Sequence, residues 1–155
     1  MRESSTAPEQ LAQAIRSGDR RRIWDACCEI ASLSQNHGKI MALMPLKEEL
    51  IRLSRDAAQK GGLYGQPVWL NRALSVLEFH EHLATCPCAL FGEQDRPDFR
   101  LEEGYVALIW KGTPNYMGEC GYTVRCTRCG AVYQVEPREY HSLWWEWTPV
   151  DKQPQ

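Results

Sequence analysis

Two tight cysteine pairs, Cys86-Pro87-Cys88 and Cys126-Thr127-Arg128-Cys129, constrain this chain more than any other feature. Four thiolates meet around one tetrahedral ion when the fold brings together two short turns carrying two sulfurs each. The pairs are separated by 37 residues, so the fold must close that span. In the second pair the two-residue gap places both sulfurs on one side of a turn, and Gly130 supplies the positive φ that follows. In the first, Pro87 holds the bend that lets a one-residue gap converge. Seven cysteines is an odd count, and their spacing is that of a metal site rather than a disulfide framework. Zinc, held by Cys86, Cys88, Cys126 and Cys129, is the expected cofactor.

Two other ligands compete. His82 stands four residues before Cys86, and Cys120 six before Cys126, and either could replace one cysteine. His80 and His82 otherwise read as polar surface at a helix end, and Cys27 as a small apolar residue of a buried helical face. A closed four-thiolate site has no open position at which to activate water, so it contributes folding energy rather than chemistry. His80-Glu81-His82 lacks the His-Glu-x-x-His spacing, and neither a phosphate loop nor a nucleophile elbow is present. The chain is therefore expected not to be an enzyme. A hydrolase using His80, His82 or His141 would need a coordination vacancy.

The apolar pattern divides the chain into a helical lobe, 6–85, and a zinc-bound β lobe, 86–149, within one domain, 1–155, flanked by flexible tails at 1–5 and 150–155. Thr6 and Glu9 are spaced as a capping box before Leu11 and Ile15, and Asp19 is placed to cap a second helix bearing Ile23, Cys27 and Ile30. Pro45 opens a helix with Leu46, Leu50, Leu53 and Ala57 on its buried face, and Gly61-Gly62 stops it. Gly65-Gln66-Pro67 turns into a further helix with Leu70, Ala73, Leu74 and Leu77. Beyond Cys86, short apolar runs between Gly, Pro and Asn predict strands at 104–110, 121–126, 131–135 and 140–147. The fold class predicted is α+β, with antiparallel helices packed on an antiparallel, zinc-stabilised sheet.

A net charge of −2 argues against a general nucleic-acid binder. Neither an N-terminal run of signal-peptide length nor a membrane-length apolar window appears, so a cytoplasmic protein with no membrane partner is expected. Arg20-Arg21-Arg22 opposes a helix macrodipole; it is a solvated run or a contact for an acidic or phosphate partner. Glu93, Asp95, Asp98, Glu102 and Glu103 form an acidic loop between the cysteine pairs, suited to a basic cleft on a partner. Trp144, in the aromatic tract 140–147, is a further candidate contact.

The helical first half, the cysteine pairs, and Glu136-Pro137-Arg138-Glu139-Tyr140-His141 followed by Trp144, Trp145 and Trp147 resemble bacterial immunity-type proteins encoded beside polymorphic or contact-dependent toxins. The resemblance covers the C-terminal seventy residues. It implies a noncatalytic inhibitor of one cognate protein toxin; the charge of the loop and the aromatic tract make Glu93, Asp95, Asp98, Glu102 and Trp144 the expected partner contacts. A zinc-ribbon nucleic-acid or transcription-associated module, drawing on Arg125, Arg128 and the Arg20 cluster, is the alternative.

Overall fold

The computed structural model describes residues 7–59 and 68–150. Thr6, the Gly61-Gly62 stop, the Gly65-Gln66-Pro67 turn, the N-terminal tail and residues 151–155 of the C-terminal tail lie outside the described residues. Among the described residues six α-helices and a four-stranded antiparallel sheet define an α+β protein, divided into two compact units, Met1–Pro87 and Cys88–Gln155.

In the first unit, α1 (Pro8–Arg16) begins with proline in its first turn, where no intrahelical N–H is missed. Leu11 and Ile15 form its buried stripe. Asp19 caps α2 (Arg20–Ser32), accepting from the backbone N–H of Arg21 at 2.9 Å, and Ile23, Ala26, Cys27 and Ile30 are buried. The Asn36 side chain caps α3 (His37–Ala42), accepting from the Lys39 backbone N–H. Pro45 lies in a single 3-10 turn, Met44–Leu46, that leads into α4 (Lys47–Gln59). On α4 the buried positions are Leu50 and Ser54, while Leu53 and Ala57 are only half-buried.

On α5 (Val68–Glu81) Leu70, Ala73 and Leu77 of the expected stripe are buried and Leu74 is half-buried, and Val76 and His80 join the buried face. The reading of His80 as surface is corrected here, since it is 1% exposed. Its Nε2 lies 2.7 Å from the Ser34 carbonyl and its Nδ1 lies 2.9 Å from His37 Nδ1. A carbonyl only accepts, so Nε2 carries the proton, Nδ1 accepts, and His37 Nδ1–H is the donor. Helices α5 and α3 and the turn that precedes α3 are thereby joined through one ring. Replacing His80 with Ala should lower the unfolding free energy by about 3 kcal/mol, by combining a cavity with an orphaned carbonyl. Replacing exposed His82 with Ala should leave it nearly unchanged, and urea denaturation of the two variants checks the difference.

The second unit holds α6 (Pro97–Glu102) and the strands β1 (Val106–Lys111), β2 (Tyr122–Cys126), β3 (Val132–Tyr140) and β4 (Ser142–Pro149), in the order β1-β2-β3-β4. The inward side chains follow the period of two: Tyr122, Val124 and Cys126, then Tyr133 and Val135, then Trp145, all buried. Phe91 stacks on Trp147 with ring centroids 4.5 Å apart, closing the core over β4. The segment before α6 is fastened to the same strand, where Trp145 N–H donates to the Glu93 carbonyl at 3.1 Å and Trp147 Nε1–H to the Asp95 carbonyl at 3.0 Å.

At the other edge of the sheet β1 has a different character. Val106 is buried, but Leu108, Ile109 and Trp110 are each about half exposed (50%, 49% and 56%). The ladder to β2 shifts register between Leu108 and Trp110, which marks a bulge at Ile109.

Candidate metal centre

Each ligand turn is built by local bonds. In the second pair, Gly130 N–H donates to the Cys126 carbonyl at 3.0 Å, and Gly130 takes φ 79°, which an L side chain adopts only with strain. Cys126 N–H donates back to the Ala131 carbonyl at 2.7 Å, so the turn is closed at its base. Thr127 ties it to the entry of β1: its N–H donates to the Tyr105 carbonyl and its hydroxyl donates to the Gly104 carbonyl at 2.9 Å. In the first pair, Pro87 opens a 3-10 turn that runs to Leu90. Its carbonyl accepts from Nε2–H of buried Gln35 at 2.8 Å. Gln35 had no signal in the sequence, because an amide side chain in a polar-looking loop reads as surface.

These turns bring the four sulfurs of Cys86, Cys88, Cys126 and Cys129 within 4.8 Å of one another, close enough to hold a metal ion. Cys88 and Cys126 are buried, Cys86 is half-buried and Cys129 is exposed. The Cys88 and Cys129 sulfurs are 3.5 Å apart. Two further groups address the sulfurs: Tyr133 Oη lies 3.1 Å from Cys88 Sγ, and Ala131 N–H points at Cys129 Sγ from 3.5 Å. Burial first, and then the Cys88 contact, push the Tyr133 phenol well above its ordinary value, so it stays protonated and serves the sulfur as donor. Donors of this kind orient metal-bound thiolates and offset their charge.

The cluster includes neither His82 nor Cys120. His82 is exposed beyond α5, and Cys120 is buried at the entry of β2. His141 sits at the β3–β4 turn with φ 61°. Cys27 is fully buried, and its thiol is pushed up to about 12 by burial and then by Cys28, so it is a packing residue in its neutral form.

The acidic loop is divided by the fold. Asp95 is 3% exposed and ion-paired with buried Arg100, whose Nε and Nη2 lie 3.1 and 2.5 Å from Asp95 Oδ1. Asp95 Oδ2 accepts from Gly92 N–H at 2.7 Å. Asp95 is therefore a structural carboxylate rather than a surface contact. Glu93 and Glu102 are exposed, Asp98 is half-exposed beside Arg96, and Trp144 is half-buried. Arg125 donates to the Gly130 carbonyl at 3.3 Å and Arg128 lies over the Tyr105 ring, so both arginines are engaged at the knuckle itself.

Fold and cluster together define an α+β protein whose four gathered cysteines can hold a metal ion. No family model, no curated protein and no solved structure matches the chain. Among the described residues no helix is long and apolar enough to cross a membrane.

Proposed function

We infer that the four sulfurs bind one structural zinc ion and that the chain is a noncatalytic protein-binding protein of the cytoplasm. The observation that carries this reading is the gathering of four cysteine sulfurs within 4.8 Å of one another. Zinc–sulfur bonds of about 2.3 Å in a tetrahedron require sulfur separations of about 3.8 Å. The Cys88 and Cys129 sulfurs stand 3.5 Å apart and all four lie within 4.8 Å of one another, which brackets that spacing. An all-thiolate set is closed and soft, which favours zinc over hard cations and leaves no site for a reacting water. Thiolates survive in this form in a reducing compartment.

Support for a binding role comes from β1. Three consecutive apolar side chains exposed on an edge strand are what soluble proteins avoid unless a partner covers them. The specific form we assign is the one the resemblance implies, an immunity-type inhibitor of a cognate bacterial toxin. The apolar strip supplies affinity, and exposed Glu93 and Glu102, with half-exposed Asp98, supply complementarity to a basic cleft.

Metal analysis of protein purified without chelator should return one zinc per chain; markedly substoichiometric metal would overturn the zinc assignment. Co-expression should rescue cells from one toxin encoded beside the gene. Ile109→Lys with Trp110→Glu should abolish that rescue at matched expression, and Asp98→Lys with Glu102→Lys should weaken it. Full protection by the Ile109/Trp110 variant would remove β1 from the mechanism.

A further inference from the structure

The first unit contains a second constellation that the metal centre does not use. Asp19, Arg20, Arg21, Trp24 and Trp69 line an open cleft of about 510 Å³, a volume within the range of small-molecule sites. The residues come from the start of α2 and the start of α5, so nearly fifty residues of chain are folded back to place the two indoles in one cleft.

The cationic wall is not explained by stability. Arg20 and Arg21 are adjacent like charges in the first turn of a helix, where the macrodipole disfavours cations. Asp19 offsets this in part, but its Oδ1 is committed to capping the Arg21 and Arg22 N–H groups. Arg21 is held in place, with its guanidinium 5.1 Å from the Trp24 ring centroid and its Nε 3.6 Å from Asp25. Arg20 is exposed and has no ion-pair partner among the described residues.

Trp24 remains 39% exposed despite that stacking, so an aromatic surface is left open beside the free cation. Indole faces accept planar rings, and an exposed arginine accepts phosphate oxygens through paired N–H donors. The combination is the one by which proteins hold a base and its phosphate together.

We propose that the Arg20–Trp24–Trp69 cleft is a binding site for a nucleoside phosphate, with the base stacked on indole and the phosphate paired with Arg20 and Arg21. The shared chemistry is a base-plus-phosphate unit, supplied either by a mononucleotide or by the end of a nucleic-acid strand.

The test is a titration of the full, metal-loaded chain, followed through the Trp24 and Trp69 indole N–H resonances. The probes are AMP, adenosine, inorganic phosphate and a short single-stranded oligonucleotide. AMP should shift both indoles saturably, with adenosine and phosphate each weaker by about tenfold. Tighter binding of the oligonucleotide than of AMP identifies a strand as the source and supports the site; equal or weaker binding identifies the mononucleotide and supports it likewise. Arg20→Glu places an acidic residue where the helix favours one, so the fold should be kept or slightly stabilised while AMP affinity falls about tenfold. Trp24→Leu should remove the preference for AMP over inorganic phosphate. Absence of AMP-induced indole shifts, or unchanged AMP affinity in Arg20→Glu, would overturn the proposal.

Discussion

Replacing Cys129 with serine should unfold the second unit, with loss of the dispersed β-sheet amide resonances and release of the metal. The prediction is sharp because Cys129 is exposed. An exposed cysteine that merely packs changes stability by no more than about 0.5 kcal/mol when it becomes serine. A cysteine that completes a zinc tetrathiolate forfeits much of a binding energy of about 10 kcal/mol, comparable with the whole stability of a small domain. Two mechanisms thus differ by an order of magnitude at one position. Cys27→Ser gives the contrast: it is fully buried, it touches no ligand, and it should cost only about 1 kcal/mol. A strong chelator should reproduce the Cys129→Ser spectrum in the parent protein. A folded, metal-free sheet in either experiment would show that the sulfurs converge for another reason.

The next largest effect belongs to Arg100. Its guanidinium and the Asp95 carboxylate have side chains only 8% and 3% exposed, and Arg100 also reaches Glu103 at 2.7 Å. Burial alone would lower the Arg100 pKa, and the paired carboxylates raise it above its usual value, so the guanidinium is held charged. Arg100→Ala leaves an ionised carboxylate under the sheet and should destabilise by about 4 kcal/mol in urea denaturation. Because the Asp95 backbone also receives the Trp147 indole N–H, the loss should spread to β4 and alter the near-ultraviolet Trp signal. Arg96→Ala removes a part-exposed guanidinium shared between Asp98 and Glu119 and should cost about 1 kcal/mol or less. Replacing both partners, Asp95→Leu with Arg100→Met, should recover most of the loss, since an apolar pair of similar volume carries no unpaired charge. If the single and double variants are equally unstable, packing around Arg100 rather than its charge is decisive.

What the sequence disclosed and what it withheld divide along local and nonlocal lines. The cysteine turns were legible because spacing, Pro87 and Gly130 fix their geometry within a few residues. The Asp19 cap and the Leu11, Ile23 and Leu70 stripes were legible for the same reason. His80 was missed although it continues the Ala73–Leu77 stripe by one more turn; its polarity masked its position, and its partners, Ser34 and His37, lie over forty residues away. Asp95 was read by charge alone, while its burial depends on Arg100 swinging back from α6.

The third strand was expected to stop at 135, where the short apolar run ends; Pro137 beyond it donates no ladder bond. It continues to Tyr140 because β2 pairs only as far as Val135, and the residues beyond face β4 alone. One side of that stretch needs no donor. Of the expected contact surface, the exposed edge at β1 had no clear signal, since an apolar run such as Val106–Trp110 reads equally as a buried strand.

The asymmetry of the sheet edges sets a limit on stoichiometry. On β4 the middle of the outer edge is already occupied, by the Glu93 carbonyl bound to Trp145 N–H, whereas among the described residues β1 has no strand on its outer side. A sheet that can lengthen at one side only adds a single strand and then terminates. Complexes formed through it are finite, one to one with a foreign chain or two-fold with itself, and edge-to-edge polymerisation into fibres has no second growing end.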